Sequence, residues 1–471
     1  MRVSLSRRGS LISRQWLVLA VASLIIAGLQ SLLLVIGRLP FLSTVFDDPL
    51  FFRRALVVHV NLALLVWFYA FLMALYFALP SAHRVRRGSA VAPTLAALGV
   101  LAIIGAASVP GAVPVLSNYV PFIDHPLFTG GLIAFGAGVV IGALDRRLLP
   151  ANPARDSKLI SSAPAAGIRA GVVALLLAAL TFAASSAATL RDLPRDTYYE
   201  LVAWAGGHVL QFANVAGMTA VWLVLLESAL GRPPVAYRTA SVLYALLILP
   251  LVAAPLVALE GPASRVFFTE LMRWGIFPVV TVFIALCARA VLREARIRGA
   301  ALLRDPDVLT FGASALLSVA GFVLGASIRG SSTLIPAHYH ASIGAVTIGY
   351  MAITYRLLAR HGMPVRGKLT RVAAVQPALF GAGQLVFALG FALAGAHGMA
   401  RKAYGSEQHI RTFAESAGLL TMGLGGLIAI SAGIAFLVIA THAWLTSRAQ
   451  TPARARQGDS TWTQESIRSR G

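Results

Sequence analysis

Residues 334–350 read Leu-Ile-Pro-Ala-His-Tyr-His-Ala-Ser-Ile-Gly-Ala-Val-Thr-Ile-Gly-Tyr. The run is apolar except for its histidines and small hydroxyl side chains, and it meets no charge before Arg356. A helix turns about 100° per residue, so side chains two positions apart leave it about 200° apart. One helix therefore offers an imidazole to each of two neighbouring cavities. A single metal ion held by one helix uses i, i+4 on a single face instead. His338 and His340 thus read as ligands to two cofactors on either side of a membrane helix.

The rest of the chain shares that solvent. Of 471 residues, 58% are hydrophobic and 12% charged, and the mean hydropathy is +0.77. Soluble domains carry about 25% charged residues, so there is too little charge here to coat soluble surfaces and an ordinary soluble enzyme is excluded. A helix of about 20 apolar residues crosses the ~30 Å hydrocarbon core. Twelve such runs occur, at about 16–36, 54–79, 91–109, 128–149, 167–189, 198–229, 239–259, 267–292, 308–328, 334–358, 374–396 and 413–445. The first is too long for a signal peptide and no A-x-A site follows it.

Arginine-rich loops at 84–87, 146–158, 289–304 and 356–371 fall on one side together with both ends of the chain. The positive-inside rule then places both termini in the cytoplasm of a bacterial-type inner membrane. The net charge of +22 is spread over these short clusters, a pattern that points to membrane orientation and away from nucleic acid. The expected architecture is an all-α, polytopic bundle over 1–447 with a basic, disordered cytoplasmic tail over 448–471. The lone Cys287 excludes disulfides, CxxC zinc sites and covalent CxxCH haem attachment within this chain.

Ten histidines occur. His83 and His361 lie among cytoplasmic arginines, His442 near the inner end of the last span, and His125, His397 and His409 in or beside outer loops. His59, His208, His338 and His340 lie inside spans, where an ionisable group is costly and marks function by default. All four belong to inward-running spans and sit about 7–15 Å below the outer surface at 1.5 Å per residue. Neutral imidazole is a good axial ligand for haem iron. One cavity would pair His340 with His59 on a bis-histidine haem, and the other would hold a haem on His338 alone.

At this point the chain resembles subunit I of the haem–copper oxidase superfamily, which includes cytochrome c oxidases and nitric oxide reductases. Ala337-His338-Tyr339-His340 is similar to the family's A-H-F-H, whose first histidine binds the high-spin haem and whose second binds the low-spin haem. Val58-His59 matches the other low-spin ligand, and Gly207-His208-Val209 resembles G-H-P, whose histidine is a copper ligand. Gly398-Met399-Ala400-Arg401-Lys402 resembles G-M-P-R-R, whose basic pair holds haem propionates. The resemblance implies two non-covalent haems of unread type, a respiratory electron-transport role, an electron-donating subunit or cytochrome c, and oxygen or nitric oxide as the small ligand.

The chain also departs from that pattern. Span 7 reads Leu249-Pro250-Leu251-Val252-Ala253-Ala254-Pro255-Leu256 and lacks the family's His-His pair, which leaves the copper set incomplete. Phe212 stands where many oxidases have a tyrosine, Gln211 replaces a carboxylate, and span 8 has no lysine between 267 and 286. Glu270, about one turn into span 8, reads as a second-metal ligand or proton relay near His208, or as an interfacial partner of Arg265 or Arg273. Three functions stay open: a terminal oxidase or nitric-oxide-handling enzyme, a copper-free dihaem protein for electron transfer or gas sensing, and a haem-free transporter.

Overall fold

A computed structural model of the chain describes residues 7–36, 50–81, 84–149, 160–401 and 410–468. The elements follow in the order α1 (Arg7–Ile36), α2 (Phe51–Val60), a π-helical turn (Asn61–Val66), α3 (Trp67–Ala78) and α4 (Arg87–Ala106). A short hairpin, β1 (Val113–Val115) and β2 (Phe122–Asp124), precedes α5 (Pro126–Ala143), α6 (Ser162–Ala188) and α7 (Arg195–Leu230). Then come α8 (Tyr237–Ile248), α9 (Ala254–Val257), α10 (Arg265–Arg298), α11 (Pro306–Ala326), α12 (Leu334–Arg360), α13 (Leu369–Ala396) and α14 (Phe413–Arg468).

Among the described residues, eleven helical segments are long and apolar enough to cross a membrane. Ten of them correspond one to one with expected spans. The difference from twelve lies in Tyr237–Arg298, a continuous helical segment of 62 residues that contains both expected spans 7 and 8. A straight helix of that length would measure about 90 Å, three times the hydrocarbon core. The segment breaks at Gly261, whose φ of 60° and ψ of −133° lie outside the helical region. A side chain resists that backbone and glycine accepts it. Tyr244 and Phe283, on either side of the break, have ring centroids 5.0 Å apart, so the chain folds back on itself here. Hydropathy sees the two arms as separate runs, and the backbone is helical on each side of the break at Gly261.

The chain divides into two compact units, Met1–Val308 and Leu309–Gly471. In the first unit α1 packs on α3, α4 on α5, and α6 and α10 on α7. Small residues bring the backbones of α4 and α5 together. A Cβ added at Gly99 would lie 2.5 Å from the Phe135 nitrogen and 2.6 Å from the Gly131 oxygen. Such contacts are how membrane helices gain van der Waals packing where lipid offers no hydrophobic drive. Trp16, Trp67, Trp222, Phe71 and Phe212 are fully buried in this unit.

In the second unit α12 packs on α13, and α13 on α14. The α13–α14 seam is again built on glycine: a Cβ at Gly383 would lie 2.5 Å from the Ala429 nitrogen, and one at Gly418 would lie 2.7 Å from the Ala394 nitrogen. α14 starts on a capping box. The Glu415 carboxylate accepts from the Arg411 and Thr412 backbone N–H groups at 2.6 and 2.9 Å, and the Glu415 N–H donates to Thr412 Oγ1 at 3.1 Å.

Candidate functional site

His59 belongs to the first unit, on α2. Its Nδ1 lies 2.8 Å from the Ala27 carbonyl oxygen on α1. A carbonyl only accepts, so Nδ1 carries the proton and Nε2 is left with a bare lone pair. No protein group among the described residues hydrogen-bonds that Nε2. This is the posture of a metal-ligating imidazole, whose other nitrogen is fixed by a backbone carbonyl.

The turn after His59 is special. Asn61–Val66 is a π-helix, a rare form often found beside functional residues. The Asn61 amide, 2% exposed, donates to the Val57 oxygen at 2.9 Å and to the Pro121 oxygen at 2.8 Å. Arg54, 1% exposed, donates to the Ala107 and Ala112 oxygens at 2.9 and 3.2 Å. These two side chains, Arg54 on α2 and Asn61 at the start of the π-helical turn, flank His59 and tie it to the strap formed by residues 107–125.

The same strap reaches α7. Asn118 donates through its backbone N–H and its amide to the Glu200 carboxylate, at 2.8 and 2.5 Å. Asp124 accepts from the Tyr199 hydroxyl and pairs with Arg195, both at 2.7 Å. Tyr119 lies against His208, with ring centroids 4.4 Å apart. Gly207 makes room for it, since a Cβ there would fall 2.6 Å from the Tyr119 Cβ.

His208, also in the first unit, is 1% exposed and both its nitrogens are engaged. Nδ1 faces the Trp204 oxygen at 2.7 Å and Nε2 faces the Tyr119 hydroxyl at 2.9 Å. With Nδ1 protonated, Nε2 accepts from the phenol. Burial pushes the Tyr119 phenol above its ordinary pKa, so that proton stays in place. Trp204 in turn donates to the Arg265 oxygen at 3.3 Å and stacks under its guanidinium, 4.2 Å from the ring centroid.

Glu270 is not joined to His208. Its two oxygens accept from Arg273 at 2.8 Å and from Trp274 Nε1 at 2.9 Å, all on α10, and the Glu270 side chain is 42% exposed. Of the readings open for it, this geometry is the surface pair with Arg273.

His338 and His340 belong to the second unit, on α12, and their rings leave the helix toward different neighbours. His338 Nδ1 lies 2.7 Å from the Gly321 oxygen on α11, which again leaves Nε2 bare, with no protein hydrogen-bond partner among the described residues. The ring fits because Gly325, one turn further along α11, has no side chain. A Cβ there would stand 2.8 Å from both Nδ1 and Cε1 of the imidazole. His340 packs on α13, with centroids 4.6 Å from Phe387 and 6.3 Å from Phe391.

The basic segment expected to hold propionates lies beside the start of this helix. Ala400 bridges to Ser332, the Arg401 N–H donates to the Ser331 oxygen at 3.4 Å, and the Thr333 N–H to the Met399 oxygen at 3.0 Å. Lys402, His83 and His409 lie outside the described residues. Among the described residues, no three or more His, Cys, Asp or Glu side chains cluster in a way that would hold a metal ion.

Sequence reasoning passed over Tyr119, Arg54, Asn61, Gly321 and Gly325. A polar Asn two residues from a span histidine, and an arginine five residues before it, were signals for the second and third of these. Nothing in the sequence pairs Tyr119 with His208, 89 residues away.

No protein-family model matches the chain. An uncharacterized protein of Aquifex aeolicus (strain VF5) is 30% identical over 354 residues, which cover 74% of this chain and 84% of that protein. The uncharacterized protein RP382 of Rickettsia prowazekii (strain Madrid E) is 25% identical over 499 residues, covering 91% of this chain and 95% of the relative. Among solved structures, a heme-copper terminal oxidase dimer determined by cryo-EM matches with a TM-score of 0.68 at 15% identity, over 93% of this chain and 84% of that one. The chain is therefore a multi-pass, all-helical membrane protein with an oxidase-like fold.

Proposed function

Because this chain belongs to the same family as the uncharacterized Aquifex aeolicus protein and has the fold of a heme-copper terminal oxidase, we propose that it is a dihaem membrane protein of respiratory electron transport. Twelve spans cross a bacterial inner membrane with both termini in the cytoplasm. His59 and His340 would hold a low-spin haem, and His338 would hold a high-spin haem. Arg401 and Lys402 carry the propionates, since a guanidinium fork matches a carboxylate. Both haems are non-covalent, and an electron-donating subunit or cytochrome c supplies the electrons.

The observation that carries this reading is the shared posture of His59 and His338. Each donates Nδ1–H to a carbonyl of a neighbouring helix, at 2.8 and 2.7 Å, and keeps Nε2 clear of protein partners among the described residues. Both rings are half-buried, and the carbonyl contact at Nδ1 turns the Nε2 lone pair toward whatever ligand the site receives. Haem, when bound, supplies reversible one-electron chemistry and an open iron position for a diatomic gas. The carbonyls of Ala27 and Gly321 fix the tautomer and orientation of the His59 and His338 rings.

The reading is tested by adding carbon monoxide to the reduced, purified protein. A difference spectrum of a five-coordinate haem is expected, and it should disappear in His338→Ala. A carbon monoxide complex that survives unchanged in His338→Ala contradicts the assignment.

A further inference from the structure

Among the described residues four histidines set Nδ1 against a carbonyl, His397 at the end of α13 and three inside spans, and the three inside spans differ at Nε2. His59 and His338 leave it open, whereas His208 has it capped by the Tyr119 hydroxyl at 2.9 Å. The oxidase-like fold implies copper beside the high-spin haem, with this histidine among its ligands. The residues present do not fit that ion. Copper wants about three good donors. The arm at 249–256 has no histidine, Glu270 is spent on Arg273 and Trp274, and no cluster of three donors occurs among the described residues.

We infer that His208 is a latch for the 107–125 strap rather than a copper ligand, and that the gas-binding pocket works on haem iron alone. The local sequence is arranged for this second use. Gly207 clears the space that Tyr119 fills, and the Trp204 carbonyl fixes the tautomer that makes Nε2 an acceptor. Tyr119 stacks edge-on against Trp204 at 5.5 Å. From the latch the strap runs to α2 and the π-helical turn after it, where Arg54 and Asn61 hold it on either side of His59. His208 is therefore a positioning residue, acting on the His59 helix through the strap. The consequence for substrate class is definite: such a pocket binds a diatomic gas at one metal, with no second metal to share it.

The inference rests on the dihaem reading, and its test separates the two. The full-length protein is purified from cells grown with added copper. Iron and copper per chain are measured, and chymotrypsin cleavage within 107–125 is followed for the native protein, Tyr119→Phe and His208→Ala. Iron without copper is expected, with unchanged iron in both variants. Each variant should be cleaved about fivefold faster, as for the loss of one buried hydrogen bond, and the double variant no faster than either single one. Should His208→Ala fail to fold, Tyr119→Phe carries the test alone. One copper per chain that is lost in His208→Ala, or cleavage unchanged in Tyr119→Phe, overturns the latch. Absence of iron overturns the haem reading instead and leaves the cleavage result to decide the latch.

Discussion

Replacing His59 or His340 with alanine should each abolish the low-spin, bis-histidine haem signal, while His338→Ala should abolish the high-spin one. The expectation is of complete loss rather than a shift. A six-coordinate iron that loses one imidazole changes spin state, and a five-coordinate iron that loses its only protein ligand loses the signal of that ligation. Electron paramagnetic resonance of the oxidised protein reads both signals at once. His208→Ala should leave both in place, because that imidazole is committed to Tyr119 and Trp204. All three axial variants with a native spectrum would refute the ligand assignment.

The second large effect concerns stability. Arg147 and Asp145 form a 2.8 Å ion pair in which both side chains are 1% exposed. The Arg147 guanidinium lies 5.1 Å from the Phe77 ring centroid, and the Arg147 oxygen accepts from Arg169 at 2.8 Å. Asp145 also accepts from the Arg86 N–H at 3.1 Å, and its own carbonyl accepts from Tyr76 at 2.8 Å. The pair thus ties together the ends of α3, α4, α5 and α6. Asp145→Ala leaves a buried cation without its counter-charge, at a cost of about 3–5 kcal/mol. The thermal midpoint of the purified protein in detergent should fall sharply. The double variant Asp145→Leu/Arg147→Met should recover most of the loss, since apolar replacement of a buried pair is often neutral. A native midpoint for Asp145→Ala would show that water reaches the pair.

Much of the architecture was legible because lipid imposes one rule on every span. Hydropathy marked the long apolar helices, and the i, i+2 spacing of the α12 histidines foretold rings on different faces, which pack toward α11 and α13 respectively. The fold-back at Gly261 was legible as two apolar runs. What hydropathy did not reveal is that the backbone stays helical on both sides of a single left-handed residue.

The environment of His208 was harder to read for a physical reason. Its motif, Gly207-His208, looks the same whether the glycine admits a metal site or a tyrosine ring. Only the long-range placement of Tyr119 tells the two apart. The glycines at 321 and 325 present the same difficulty, because their meaning lies on the facing helix. Glu270 was ambiguous in sequence between a buried ligand and a surface pair, and its exposure and partners on α10 favour the surface pair.

The central claim is that these imidazoles hold haem. Its most direct test is to extract the purified, full-length protein with acidified acetone and count non-covalent haem by the pyridine haemochrome spectrum. Two haems released per chain, with none left on the polypeptide, is the predicted result. A protein that folds and purifies from haem-replete cells with no haem at all would contradict it and leave the twelve-span transporter as the surviving reading.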